Sequence, residues 1–159
     1  MARVHVSSWR AAYRGLLPED YLAALTVEGR TRRWRRRLRE LRSGETVLLA
    51  ERDGQAVGFA SAGPSRDSDC DWRRVGELYA IYALEGEWGR GTGRLLHDEA
   101  VRALEALGFR EAILWVLDTN ERARSFYERR GWAPDGSEKH EHYGKRVREL
   151  RYRRGTLAS

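Results

Sequence analysis

Cysteine is all but missing. Cys70 stands alone in a chain of 159 residues, so no disulfide can form within it. That fits a reducing compartment, and a cytoplasmic location is expected. Lysine is nearly as scarce: of 30 basic residues only Lys139 and Lys145 are lysine, which leaves 28 arginines. The bias fits a GC-rich genome as well as it fits function. No apolar run approaches the roughly 20 residues that span a bilayer, so no membrane partner is expected. The opening MARVHVSSWR lacks the apolar region of a signal peptide. Repeats, linkers and low-complexity segments are absent too. With 41% hydrophobic residues and six Trp, disorder is excluded, and the length suits one domain over residues 1–159. The net charge of +6 favours anionic ligands, either nucleic acid or a phosphorylated cofactor.

One stretch organises the rest, VGELYAIYALEGEWGRGTGRLL, residues 75–96. Residues 75–83 are apolar and aromatic apart from Glu77, which suits a strand buried on both faces. A polar turn over 85–90 follows, and Gly91-Thr92-Gly93 opens an amphipathic helix. The first amides of a helix lack internal partners and carry the positive end of its dipole. Glycines there let an anion, usually phosphate, reach bare backbone. A P-loop is excluded, because Gly93 precedes Arg94 and Leu95 instead of Lys and Ser or Thr. A Rossmann site would want an acid about twenty residues further on, where Ile113 stands. Taken alone, the glycine spacing also suits an ordinary turn.

Around this stretch the pattern predicts helices over 2–14, 18–25 and 27–42. Val4, Ser8, Ala11 and Ala12 face inward in the first, with Trp9 and Tyr13 one turn apart. The third carries an apolar stripe of Val27, Trp34, Leu38 and Leu41 among eight arginines. Those arginines read as a solvated face; the other reading, a nucleic-acid footprint, lacks a recognition motif. Strands over 46–52 and 55–63 flank Asp53-Gly54, a hairpin signal. A polar loop over 63–74 leads to the organising strand and its helix, 91–107, with Leu96, Ala100, Ala103, Leu104 and Leu107 inward and Gly108 as its stop. A buried strand at 112–117, a helix at 120–130 and, after a turn at Pro134-Asp135-Gly136, strands at 138–143 and 145–153 complete the chain. Residues 75–117 form a β-α-β unit, so its strands are parallel. The fold class is α/β in the α+β sense, with a mixed, mostly antiparallel sheet and helices on both faces.

Two segments resemble the cofactor motifs of the GNAT superfamily of N-acetyltransferases. Residues 77–93 resemble its strand followed by Gln/Arg-x-x-Gly-x-Gly/Ala, although Trp88 stands where the family has Gln or Arg. Asn120-x-x-Ala123-x-x-Phe126-Tyr127 with Gly131-Trp132 resembles the second motif, and residues 8–18 also resemble many bacterial members. The resemblance implies an enzyme moving acetyl from acetyl-CoA to a primary amine, small-molecule or peptide, by direct attack in a ternary complex and without metal. It implies cofactor contacts at Ile81, Tyr82 and Ala83, at Gly89, Arg90, Gly91, Thr92, Gly93 and Arg94, and at Asn120, Ala123 and Tyr127. Tyr127 would protonate the leaving thiolate, or else be a packed aromatic. Glu77 would be the base, its pKa raised in an apolar strand, or else the partner of a nearby arginine. Trp9, Tyr13, Glu77, Tyr79 and His140 would line the acceptor pocket.

Other chemistry is thinly supported. His140 and His142 share a strand face but lack a third metal ligand, and they suit the acceptor pocket better. Cys70 has no histidine partner for covalent catalysis. The rival reading is a non-catalytic acyl-CoA-binding or nucleic-acid-binding module on the same fold. The family's first strand has no counterpart here, which would leave strand 46–52 as an open edge. A partner chain such as a second copy, or a natural start further upstream, is expected to cover it.

Overall fold

The structure is a computed structural model that describes residues 1–155. Three helices lead: α1 (Ala2–Ala12), α2 (Glu19–Ala23) and α3 (Val27–Arg39). Strands β1 (Thr46–Arg52), β2 (Gln55–Pro64) and β3 (Val75–Ala83) follow, then α4 (Thr92–Ala106), β4 (Glu111–Leu117), α5 (Glu121–Glu128), β5 (Ala133–His142) and β6 (Arg146–Arg154). The six strands lie in the order β1-β2-β3-β4-β6-β5. Only β3 and β4 are parallel, as the β-α-β reading requires. β1 is an edge, paired on one side only among the described residues. No helix among them is long and apolar enough to cross a membrane.

Period-2 alternation in β2 sorts its residues between two layers. Ala60 and Ala62 pack with Leu96, Ala100 and Leu104 of α4. Phe59 turns the other way, its ring 5.3 Å from that of His5 on α1. The α4 stripe is rotated from the expected one: His97 and Val101 are buried while Leu107 is 44% exposed. His97 is accommodated because Trp132 donates to its Nε2 at 2.9 Å.

Two sequence expectations fail. Helix α3 buries no residue, and Val27, Leu38 and Leu41 are exposed. Only Trp34 of its stripe reaches inward, to Phe59 and His5. The expected turn at Pro134-Asp135-Gly136 instead lies within β5, whose register against β6 shifts between Pro134 and Glu138. Gly136, at φ 91, allows that bulge.

His5 makes the fold acid-sensitive. Its Nδ1 accepts from the Trp34 indole at 3.0 Å, so Nε2 carries the proton, and that atom has no partner among the described residues. Burial, with Arg30 and Arg33 nearby, holds its pKa down to about 3. An unfolded histidine titrates near 6.5, so below that pH only the unfolded chain gains the proton. This contribution is complete above pH 6.5 and is lost as pH falls toward 3. Between pH 6.5 and 4.5 it amounts to about 2–3 kcal/mol. Stability of wild type and His5→Phe should be measured by urea unfolding across that range. A shallower pH slope is expected in the variant, and equal slopes would remove His5 from the acid response.

Candidate active site

The cleft exists because two strands part company. β3 pairs with β4 only at Val75–Glu111, Gly76–Ala112 and Glu77–Ile113. Just beyond, the register of β3 against β2 shifts, with Tyr79 as the extra residue between the Ala62–Leu78 and Ser61–Ala80 pairs. Such a bulge sharpens local twist. Among the described residues the β4-facing edge of β3 is therefore without a partner strand from Leu78 onward, which is where an extended ligand can add hydrogen bonds. The gap opens into a cleft of about 1110 Å³ that Ile81, Tyr82, Ala83, Ala123 and Asn120 help to line. One edge acceptor is already taken, since the Trp88 indole donates to the Ala83 carbonyl at 3.1 Å. The face of Trp88 lies 3.2 Å from the Arg122 guanidinium.

The glycine-rich turn sits at one end of the cleft. Gly91, the N-cap of α4, has φ 90, which L side chains rarely adopt, and nothing lies within 4 Å of where a Cβ would stand. The amides of Gly89, Gly91, Thr92, Gly93 and Arg94 make no backbone hydrogen bond among the described residues, the first capped amide being that of Leu95. Glu87 pins the turn from beneath. It accepts from Arg52 at 3.0 and 2.9 Å and from the Thr92 hydroxyl at 2.6 Å. The Arg52 and Thr92 hydrogen bonds hold its carboxyl down to about 2. Two expected cofactor contacts change in consequence. The Thr92 side chain is buried and faces Glu87, leaving only its amide for a ligand. Arg90 lies 3.7 Å from Glu87 and does not line the cleft, whereas Arg94 does.

Helix α5 supplies the middle of the cleft. Asn120 caps it, its Oδ1 accepting from the Ala123 amide at 3.1 Å, so the side-chain NH₂ is what remains for a ligand. Tyr127, seven residues on, lines the cleft, and its hydroxyl makes no hydrogen bond among the described residues. Burial, and then Tyr13 nearby, raise its pKa far above the ordinary value, so the phenol stays protonated.

The far end is aromatic. The hydroxyls of Tyr13 and Tyr82 meet at 2.9 Å, and Tyr143 packs edge-on against Trp9 at 5.7 Å. Burial pushes the Tyr13 phenol up to about 12. Tyr79 also lines the cleft, donating to the Pro64 carbonyl at 2.7 Å with Arg66 stacked 4.2 Å from its ring. Of the two sequence readings of Glu77, a lone base or the partner of a nearby arginine, the second holds. Arg66 closes on it, Nε to Oε2 at 3.1 Å, Nη2 to Oε1 at 2.5 Å and the backbone amide to Oε2 at 2.9 Å.

His140 and His142 correct the sequence reading. Both are exposed and neither lines the cleft. Pairing fixes this: Lys139 stands opposite Glu149, whereas His140 stands opposite Arg148, and adjacent strand residues point to opposite faces. The cleft face therefore receives Lys139 and Glu149, which the sequence reading passed over. Leu117 pairs with Glu149 from the other side and also lines the cleft, so the three form one row across the sheet. The alternation of β5 and β6 was the available signal, but its phase was not fixed without the partner strand.

One row along, Arg151 ties the polar loop to the sheet. It is 5% exposed and binds Asp67, Asp69, Asp135 and Ser137 at 2.7 to 3.0 Å. Asp67, Asp69 and Cys70 converge within 4.8 Å, but the guanidinium already supplies the positive charge between them.

Known proteins share this fold. A sequence model of the Acetyltransferase (GNAT) family matches residues 8–132. An uncharacterized N-acetyltransferase, YuaI, of Bacillus subtilis is 37% identical over 121 residues, covering 76% of this chain and 66% of its own length. The structure of PaiA N-acetyltransferase from Thermoplasma acidophilum in complex with coenzyme A superimposes with a TM-score of 0.73 at 19% identity, over 97% of this chain and 89% of that one. YncA, a putative acetyltransferase from Salmonella typhimurium with its cofactor acetyl-CoA, gives a TM-score of 0.70 at 17% identity, over 99% and 87%. The structural likenesses show the fold; the sequence match shows the family, and the chain belongs to the GNAT acetyltransferases.

Proposed function

We propose that this chain transfers the acetyl group of acetyl-CoA to a primary amine by direct attack within a ternary complex. The observation that carries this reading is the meeting, in one cleft, of an open strand edge, a row of unpaired helix-start amides and an unpartnered phenol. The amides of Gly89 and of Gly91 to Arg94 suit a pyrophosphate, and Arg94 adds charge. The free edge of β3 and the Asn120 amide suit the amide-bearing arm between phosphate and thioester. Tyr127, protonated at any physiological pH, suits the role of acid to the departing thiolate. Glu77, with both oxygens engaged, holds Arg66 and its loop as one wall of the acceptor end. As soluble chemistry with a diffusible thioester, the reaction suits the cytoplasm.

Acetyl-CoA should raise the melting temperature. Charge-assisted hydrogen bonds contribute about 1.5–3 kcal/mol each. A ligand at 100 times its dissociation constant stabilises by about 2.7 kcal/mol. Differential scanning fluorimetry with and without acetyl-CoA checks this. Gly91→Val, which forces a β-branched residue into the left-handed region beside the phosphate path, should remove most of the shift. An unchanged melting temperature for wild type at saturating acetyl-CoA would sink the cofactor assignment.

A further inference from the structure

We propose that Glu149 is the carboxylate that receives the acceptor's ammonium group, at the aromatic end of the cleft. This rests on the acetyltransferase reading above and adds what the acceptor must look like: a primary amine that arrives as a cation.

Two acids reach the acceptor end, and they differ in what they have left to offer. Glu77 is enclosed by Arg66 through three hydrogen bonds. Glu149 is held more loosely. Its Oε1 accepts from the Tyr143 hydroxyl at 3.3 Å, and its Oε2 lies 3.4 Å from the Lys139 ammonium. Its side chain is 14% exposed and lines the cleft beside Leu117, Tyr13 and Tyr143. Burial foremost, opposed by Lys139, raises its pKa. The charged and titratable groups around it are Lys139 and Glu141 of β5, Tyr143 of the hairpin, and Tyr13 beyond α1.

Lys139 shows what this recess accommodates. Its ammonium rests 4.5 Å from the Trp115 ring centroid while facing Glu149. An aromatic face beside a carboxylate is a cation site. Lys139 is tethered, 37% exposed and shared with Glu141, so an incoming ammonium can displace it. On binding, the acceptor gives one proton to Glu149. Its nitrogen lone pair then forms the C–N bond, the C–S bond breaks with its electrons on sulfur, and Tyr127 protonates the thiolate. The second nitrogen proton restores Tyr127, and Glu149 returns its proton to water.

The test has two readouts. n-Butylammonium chloride is titrated into the CoA-bound protein while tyrosine ring signals are followed by NMR. Saturable binding is expected in wild type. Glu149→Gln should weaken it about ten-fold or more, the scale of a charge-assisted hydrogen bond. Lys139→Gln, which removes the internal competitor, should tighten it several-fold. In turnover, Glu149→Gln should raise the acceptor KM by about the same factor while keeping the thermal shift with acetyl-CoA. No saturable binding in wild type, or an affinity and KM unchanged in Glu149→Gln, overturns the proposal. If Glu149→Gln does not fold, Lys139→Gln decides: tighter binding supports the proposal, and unchanged or weaker binding overturns it. The titration needs no turnover. A protein that binds the cation this way but transfers no acetyl group contradicts the acetyltransferase reading alone.

Discussion

Tyr127→Phe should lower acetyl turnover about 100-fold or more, the usual scale for a general acid, while leaving the fold and acetyl-CoA binding in place. The substitution removes one oxygen that has no hydrogen-bond partner among the described residues. The ring stays, and with it the edge-on contacts to Phe126 at 5.3 Å and Trp132 at 6.2 Å. Nothing buried is left unsatisfied, so stability should change little. A 100-fold loss corresponds to about 2.7 kcal/mol of transition-state stabilisation. Steady-state kinetics with the best acceptor, beside a thermal-shift titration with acetyl-CoA, separates the two effects. Wild-type turnover in the variant would take Tyr127 out of the mechanism.

Arg151→Met should cost about 3 kcal/mol of stability, the lower end of what removing one partner from a buried ion pair costs. Methionine keeps the length and apolar stem but leaves Asp67 and Asp69 without their cation and Asp135 with only Arg153, 3.4 Å away. The lower end applies because Asp69 is 60% exposed and can turn to water, whereas Asp67 and Asp135 are 19% and 13% exposed. For a chain of this size such a loss is roughly 6–12 °C in melting temperature. Hydrogen bonding from Arg151 holds the Asp69 carboxyl below the usual range; Asp135, despite its burial, is held down too by the Ser137 amide and Arg151. That contribution is present above the ordinary aspartate pKa and is lost as pH falls through the lowered one. The gap between variant and wild type should therefore narrow below about pH 4. A variant as stable as wild type at pH 7 would show that the clasp does not support the loop.

The fold was readable wherever local pattern and global packing agree. The apolar run with its glycine turn became β3 and the start of α4, and the Asp53-Gly54 signal became the β1–β2 hairpin. What was not readable depends on partners distant in sequence. Helix α3 has helical periodicity, but Leu38 on it and Leu41 beyond it remain 48% and 38% exposed among the described residues. The β5 bulge looked like a turn, because Pro-Asp-Gly has turn chemistry whether or not strand pairing resumes beyond it. At the site, the resemblance to the family's second cofactor motif pointed to Asn120 and Tyr127, and both line the cleft. Glu149 and Lys139 were not found, and the arginine partner foreseen for Glu77 was not identified as Arg66, since each acquires its role from a residue at least ten positions away or from a register that pairing alone fixes.

The central claim is that this cleft moves an acetyl group from a thioester to an amine. It is tested most directly by incubating the protein with acetyl-CoA and a panel of amino acids, polyamines, aminoglycosides and peptides with free N-termini. Free thiol and acetylated product are measured together. The account predicts amine-dependent thiol release matched by an equal amount of N-acetylated product for at least one acceptor, and loss of both in Tyr127→Phe. Tight binding of acetyl-CoA with no thiol release above the protein-free rate for any amine would contradict it, and would leave a binding module in place of an enzyme.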